Sequence, residues 1–137
     1  MSRPAPQLPS GMPPPARARL AGERDIDLYA LAAQVADRHL ATHPEELERY
    51  GPAVREWCVH DNQHLLNWAI LDVRGDTDLL GKVAWLAGVL DARGYPLDSL
   101  GENLREAAAV LRESGDSELA APADRLDEAA KSVPAAP

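Results

Sequence analysis

Apolar residues recur three and four positions apart along most of this chain, and no stretch shows the period-two alternation of a strand. The pattern predicts helices. Its centre is residues 54–71, which hold two of the three tryptophans, the only cysteine and two of the four histidines. At about 100° per residue, Val54, Trp57, Cys58, Asp61, Leu65 and Trp68 fall on one helical face. Glu56, His60, Asn67 and Arg74 fall roughly opposite. The expected core stripe therefore has a carboxylate, Asp61, in its middle, and a carboxylate in apolar surroundings is costly unless paired.

The flanking segments repeat the helical grammar. A first helix is expected after Asp25, a good N-cap, running to about residue 41 with Leu28, Leu31, Ala32, Val35 and His39 on its core face. Pro44 followed by Glu45 and Glu46 reads as a helix restart: proline suits a first turn and the carboxylates complement the positive end of the dipole. Gly51 should cap that short helix. Pro52 opens the central helix, expected to reach about residue 74, and a turn at 75–78 leads into a helix over 79–93. That helix carries Leu79, Val83, Leu86 and Leu90 on one face and Trp85 and Val89 on another, so it is buried on both sides or used for association. Its glycines, Gly81 and Gly88, would let another helix come close, or simply weaken it. After Gly94-Tyr95-Pro96 another helix is expected, with Leu97, Leu100, Leu104, Ala107, Ala108 and Leu111 as its stripe. The fold class is all-α, a compact bundle of five to six helices.

Composition divides the chain into a Pro-rich tail at 1–22, a helical domain at 23–113, a weaker C-terminal helix within 114–133 and a short tail at 134–137. Six of the twelve prolines lie in residues 1–22, which are expected to form neither helix nor sheet. Pro13-Pro14-Pro15 could dock on a Pro-reading domain, but a solvated tail is the commoner use of such a run. With no Phe, the core must be aliphatic and Ala-rich, the three Trp supplying its large pieces. The net charge is −8, and Arg3, Arg17 and Arg19 without acids in the first 22 residues leave −11 for the body. Such a body repels phosphate backbones, which argues against nucleic acid as a partner. One cysteine excludes an intrachain disulfide. Neither a signal peptide nor a membrane-spanning run is visible, so the expected location is the cytoplasm.

Several residues invite chemistry. His60 and His64, at i and i+4, have the spacing of a metal clamp, and they are the weak metal candidates; surface or structural histidines explain the pair as well. His39 and His43 repeat the spacing across the Pro44 break. His64 is also a candidate axial ligand for haem or cobalamin, with Trp57 and Trp68 as walls, although a Phe-free chain offers few large apolar side chains for a tetrapyrrole pocket. Asp61 and His64, three residues apart, can hydrogen-bond; Arg93 is another partner for Asp61. As a dyad they lack a nucleophile at a recognisable spacing, and Cys58 reads as a packed core thiol. Phosphate loops, dinucleotide fingerprints and nucleophile elbows are absent.

Two stretches, LERYGPAVREWCVHDNQHLLNWAILD and VAWLAGVLDARGYPLDSLGENLREAAAVL, resemble the N-terminal sensory domains of stressosome RsbR-type regulators. An Asp followed by His three residues on, a Trp-Leu pair and an Arg-Gly-x-Pro turn carry the resemblance. They fall on Asp61 and His64, on Trp85-Leu86, and on Arg93-Gly94-Tyr95-Pro96, and the similar region covers about half of the chain. The resemblance implies a globin-like fold without haem, dimerisation through helices and a signalling role. Those domains usually feed a C-terminal effector, so the expectation is a free-standing input domain or one whose output partner is a separate chain. The leading expectation is a non-catalytic regulatory domain acting as a homodimer or on a protein partner, without a cofactor. Asp61, His64, Trp57, Trp68 and Arg93 are its candidate sensing residues. The alternatives are a tetrapyrrole- or cobalamin-binding bundle, and a small biosynthetic enzyme or accessory with Asp61 as acid or base.

Overall fold

A computed structural model describes residues 13–21 and 24–134. It has six α-helices: α1 (Leu28–Thr42), α2 (Pro44–Tyr50), α3 (Val54–Val73), α4 (Leu79–Ala92), α5 (Leu97–Glu113) and α6 (Ala120–Ser132). A 3-10 turn at Ser117–Leu119 leads into α6. The architecture is the expected all-α bundle. Local signals place most boundaries. Asp27, not the expected Asp25, caps α1 by accepting from the Ala30 amide at 2.9 Å, because residues 25–27 are extended. Pro44 opens α2 in its first turn. Gly51, at φ 86°, ends it in a conformation that costs other residues more.

Two short strands, β1 (Arg17–Arg19) and β2 (Asp25–Asp27), precede the helices and pair antiparallel, Ala18 opposite Ile26. This corrects the expectation that residues 1–22 form neither helix nor sheet. The part at 13–21 is ordered by more than the ladder, because Ala18 and Leu20 are buried. Arg24 also forks onto Asp116 at 2.6 and 2.9 Å and reaches Glu118, tying the ribbon to the α5–α6 connection. Pro13-Pro14-Pro15 lies along the bundle rather than wholly away from it, since the Pro15 carbonyl accepts from Gln63 at 3.1 Å. Residues 1–12 lie outside the described part.

The main core is aliphatic, as the absence of Phe requires. Leu28, Leu66, Leu104, Leu111 and Leu126 are fully buried, each contributing roughly 1.5–3 kcal/mol relative to exposure. Ala32, Ala36, Ala69, Ala107 and Ala129 are equally buried, and their short side chains let α1 meet α3, and α5 meet α6, over long faces. The tryptophans are not its large pieces. Trp68 is half-buried at its margin, Trp57 is half-buried outside it, and Trp85 is 47% exposed. Cys58, also expected as core, is half-buried beside it.

The reason lies in the orientation of α3. Its buried face runs through Val59, Asn62, Leu65, Leu66, Ala69 and Ile70, turned about 100° from the expected stripe. Apolar residues occur almost all round this helix, so periodicity alone does not choose a face, and close packing between alanines leaves no room there for indole rings. The polar residue in the middle of the buried face is therefore Asn62, 1% exposed, while Asp61 sits on its flank.

A smaller cluster of Leu40, Tyr50 and Val54, with Trp57 packed on it, joins the end of α1 to α2 and the start of α3. It is against this cluster that the polar residues of the bundle gather.

Candidate functional site

α1 ends at Thr42, and the chain turns at His43 (φ −124°, ψ 64°) so that α2 folds back over the last turn of α1. That reversal brings Glu46 beside His39, seven residues earlier, with 2.7 Å between Glu46 Oε2 and His39 Nε2. His39 is 1% exposed and Glu46 6%, so a carboxylate and an imidazole are both buried here. The third member comes from the far side. Gly94, at φ 78°, lets α4 end with the Tyr95 amide donating to Leu90 O at 2.9 Å and its own amide to Asp91 O at 3.0 Å. This closing turn directs Tyr95 inward, where its hydroxyl donates to Glu46 Oε1 at 2.8 Å. The Tyr95 ring meets Tyr50 edge-on, centroids 6.0 Å apart, linking the triad to the smaller cluster. Burial, and next the charge of Glu46, hold the Tyr95 hydroxyl far above its usual range, so it stays a donor.

A second buried polar unit stands beside the first. Asn62 Nδ2 donates to Asn103 Oδ1 at 3.0 Å, and Asn103 Nδ2 returns the bond to Asn62 Oδ1 at 2.9 Å. Asn62 Nδ2 also reaches the Cys58 carbonyl at 2.9 Å. Reciprocal amides satisfy each other and hold α3 and α5 in one register, since a shift by one residue would leave both unpaired. The Cys58 thiol lies 3.9 Å from Asn103 Oδ1. Burial, with the charges of Asp61 and Glu46 adding to it, pushes this thiol up to about 12. It is a thiol, not a thiolate, at neutral pH.

Between these units lies a cleft of about 50 Å³. Glu46, Asp61, Cys58, Tyr95 and Asn103 form its polar side, and Trp57 flanks them. Leu86, Leu90 and Leu100 supply apolar lining. Neither Lys, Arg nor His is among the described residues that line it.

The sequence-derived candidates are thus divided. Asp61 and Trp57 line this cleft. Asp61 meets His60 Nδ1 at 3.1 Å, which answers part of the question of what neutralises it. His64 is buried outside the cleft, its ring 5.1 Å from that of His60 and 5.8 Å from that of Trp68. Trp68 lines a different, shallow groove with Lys82 and Trp85, the Lys82 ammonium 5.2 Å from the Trp68 ring centroid. Arg93 is exposed at the C-terminal end of α4 and does not line the cleft. Among the described residues no three His, Cys, Asp or Glu groups converge as a metal site needs.

Glu46, Tyr95, Asn62 and Asn103 were missed. Glu46 read as a dipole-complementing surface acid and Tyr95 as part of a turn. One signal pointed to them: His39 fell on the core face of its helix, and a buried imidazole requires a polar partner.

The molecule is therefore an all-α bundle with a partly open cleft, lined by two carboxylates, where its two apolar clusters meet. Comparison with family models, with curated proteins and with solved structures finds no match for the chain. No helix among the described residues is long and apolar enough to cross a membrane.

Proposed function

We propose that this chain is a sensory or regulatory helical domain that works by association, with a second copy of itself or with another protein, through the outer face of α4. The observation that carries this reading is the two-sidedness of α4. Leu79, Val83, Leu86 and Leu90 are buried on its inner side, while Trp85 stands 47% exposed on its outer side. Around Trp85, on the rim of the groove it shares with Trp68 and Lys82, Gly81, Ala84 and Gly88 are exposed. A Cβ built on Gly88 would meet nothing within 4 Å, whereas one on Gly81 would meet Asp78. A large indole on a surface of small residues is an anchor of the kind that dominates protein interfaces. The resemblance to stressosome input domains, which pair through helices, fits the same reading.

The enzyme alternative has less support. Asp61 does line the cleft, but the nearby Cys58 is held as a thiol, and neither Ser nor Thr lines the cleft beside it. The haem or cobalamin alternative requires His64 to face a cavity, and His64 does not line this one. Cytoplasmic location remains part of the proposal, resting on composition.

The test is the mass of the protein in solution. Light scattering at high micromolar concentration should give twice the 14.8 kDa of one chain. Trp85→Glu should give a single chain with unchanged helical circular dichroism, because Trp85 contributes little to the core. A wild-type protein that stays monomeric at that concentration overturns association through α4 with a second copy.

A further inference from the structure

We propose that the cleft between α2, α3, α4 and α5 is a binding site for a small organic cation, a primary alkylammonium with a short aliphatic chain, held between Glu46 and Asp61. This names the ligand class that the regulatory reading leaves open, and its link to α4 rests on that reading.

Three features of the cleft select the ligand. The first is charge. Two carboxylates, Glu46 and Asp61, face one small space, and no cationic side chain among the described residues lines it. An anion would meet repulsion there, offset only to the extent that His39 on Glu46 and His60 on Asp61 carry protons. The second is hydrogen-bond polarity. Tyr95 spends its hydroxyl proton on Glu46, and the side-chain amides of Asn62 and Asn103 donate to each other. A carboxylate has about four acceptor sites, so Glu46 keeps capacity after accepting from Tyr95 and His39. The strongest polar groups of the cleft are thus its two carboxylates, which accept, and an ammonium presents donors only. The third is size and apolar lining. A space of about 50 Å³ exceeds the ~10–15 Å³ that one water occupies by the same kind of measure, but it is small. It suits an ammonium head and a few methylenes against Leu86, Leu90 and Leu100. Trp57 and Tyr95 add aromatic surface of the sort that attracts cations.

A metal ion would use the same charge differently. It needs at least three converging ligands, which the described residues do not supply, and a soft ion would need Cys58 as thiolate.

The ligand would bear on α4 directly. Leu86 and Leu90 line the cleft, and Trp85 stands on the opposite side of the same helix. Filling the cleft therefore presses on the element proposed to associate.

Calorimetric titration of the full chain with n-butylammonium chloride tests the site, with sodium butyrate and zinc chloride as controls. Saturable one-to-one binding of butylammonium is expected, with butyrate silent. Asp61→Asn, which keeps the size of the side chain and removes its charge, should weaken binding at least about tenfold. Glu46→Gln, which still accepts from Tyr95, should do the same. Failure of butylammonium to saturate, equal binding in both variants, or binding of butyrate overturns the proposal. Zinc binding in place of butylammonium overturns it too. A dimer that does not bind butylammonium removes the ligand and leaves the association reading. A monomer that binds it keeps the ligand and removes the link through α4.

Discussion

The two ends of α3 lie in cores built on opposite terms. Toward its C-terminus, Leu65, Leu66, Ala69 and Ile70 pack with leucines and alanines of α1, α5 and α6, and the contacts are aliphatic. Toward its N-terminus, Val54 and Trp57 join Leu40 and Tyr50 in a small cluster, with His39 and Glu46 buried nearby and half-buried Tyr95 meeting Tyr50 edge-on. The first region is what a sequence without Phe needs in order to fold. The second is not, because replacing a buried ionic cluster by apolar residues of similar volume is often neutral or stabilising. A bundle that keeps such a cluster beside a cleft is departing from the consistency of the rest of its structure, and such departures gather at functional sites.

The largest expected effect tests the aliphatic side. Leu104→Ala, at a position with 0% exposure, should cost about 2–5 kcal/mol. Urea denaturation should show the midpoint falling with little change in slope. If Leu104→Ala costs no more than a surface change, the division into a supporting core and a polar one is wrong.

A smaller effect is expected on the polar side. Tyr95→Phe removes one of the two donors to Glu46 and leaves the ring in place. The cost should be about 1–3 kcal/mol, the penalty for a buried acceptor that loses its partner. Glu46→Leu removes the charge altogether. Combining Tyr95→Phe with Glu46→Leu should cost less than the two singles added, since the Tyr95–Glu46 bond can be lost only once, although His39 then lacks Glu46 in either background. A double variant whose cost is the sum of the two singles would mean that Tyr95 and Glu46 are not coupled.

The contrast between these regions also explains what could be read from the chain before its structure. Helix ends were legible because they depend on neighbours: Pro44, Gly51 and Gly94 act within a turn. The buried face of α3 was not legible. Its apolar residues encircle it, and the tryptophans drew the stripe toward the margin by about 100°. The triad was hidden for a different reason. His39, Glu46 and Tyr95 come from three segments, and only the reversal at His43 and the turn at Gly94 bring them together. The β1–β2 ribbon is three residues on each side, too short for a period to show. Arg17 and Arg19 each lie 3.7 Å from Asp25 across it.

The smallest effect concerns the latch that holds α2 over the polar core. His43 Nδ1 lies 2.9 Å from Glu45, and its Nε2 bonds Glu102 on α5. Burial lowers the basicity of this imidazole, but hydrogen bonds to Glu45 and Glu102 outweigh it, so its pKa is raised in the folded protein. A group whose pKa is higher folded than unfolded binds more protons folded. Its stabilisation is complete below the unfolded value of about 6.5 and is lost as pH rises through the folded value. Stability should therefore decline from about pH 6.5 upward by roughly 0.5–1 kcal/mol, the scale of a partly exposed ion pair. His43→Gln should remove that part of the slope and leave the rest. Hydrogen exchange locates the effect: as pH rises, amides of α2 should lose protection beyond the ordinary base-catalysed trend, while those of α5 and α6 keep theirs. Equal loosening of both regions would show that the polar core is not an independent unit, and α2 would then be no more than another turn of the bundle.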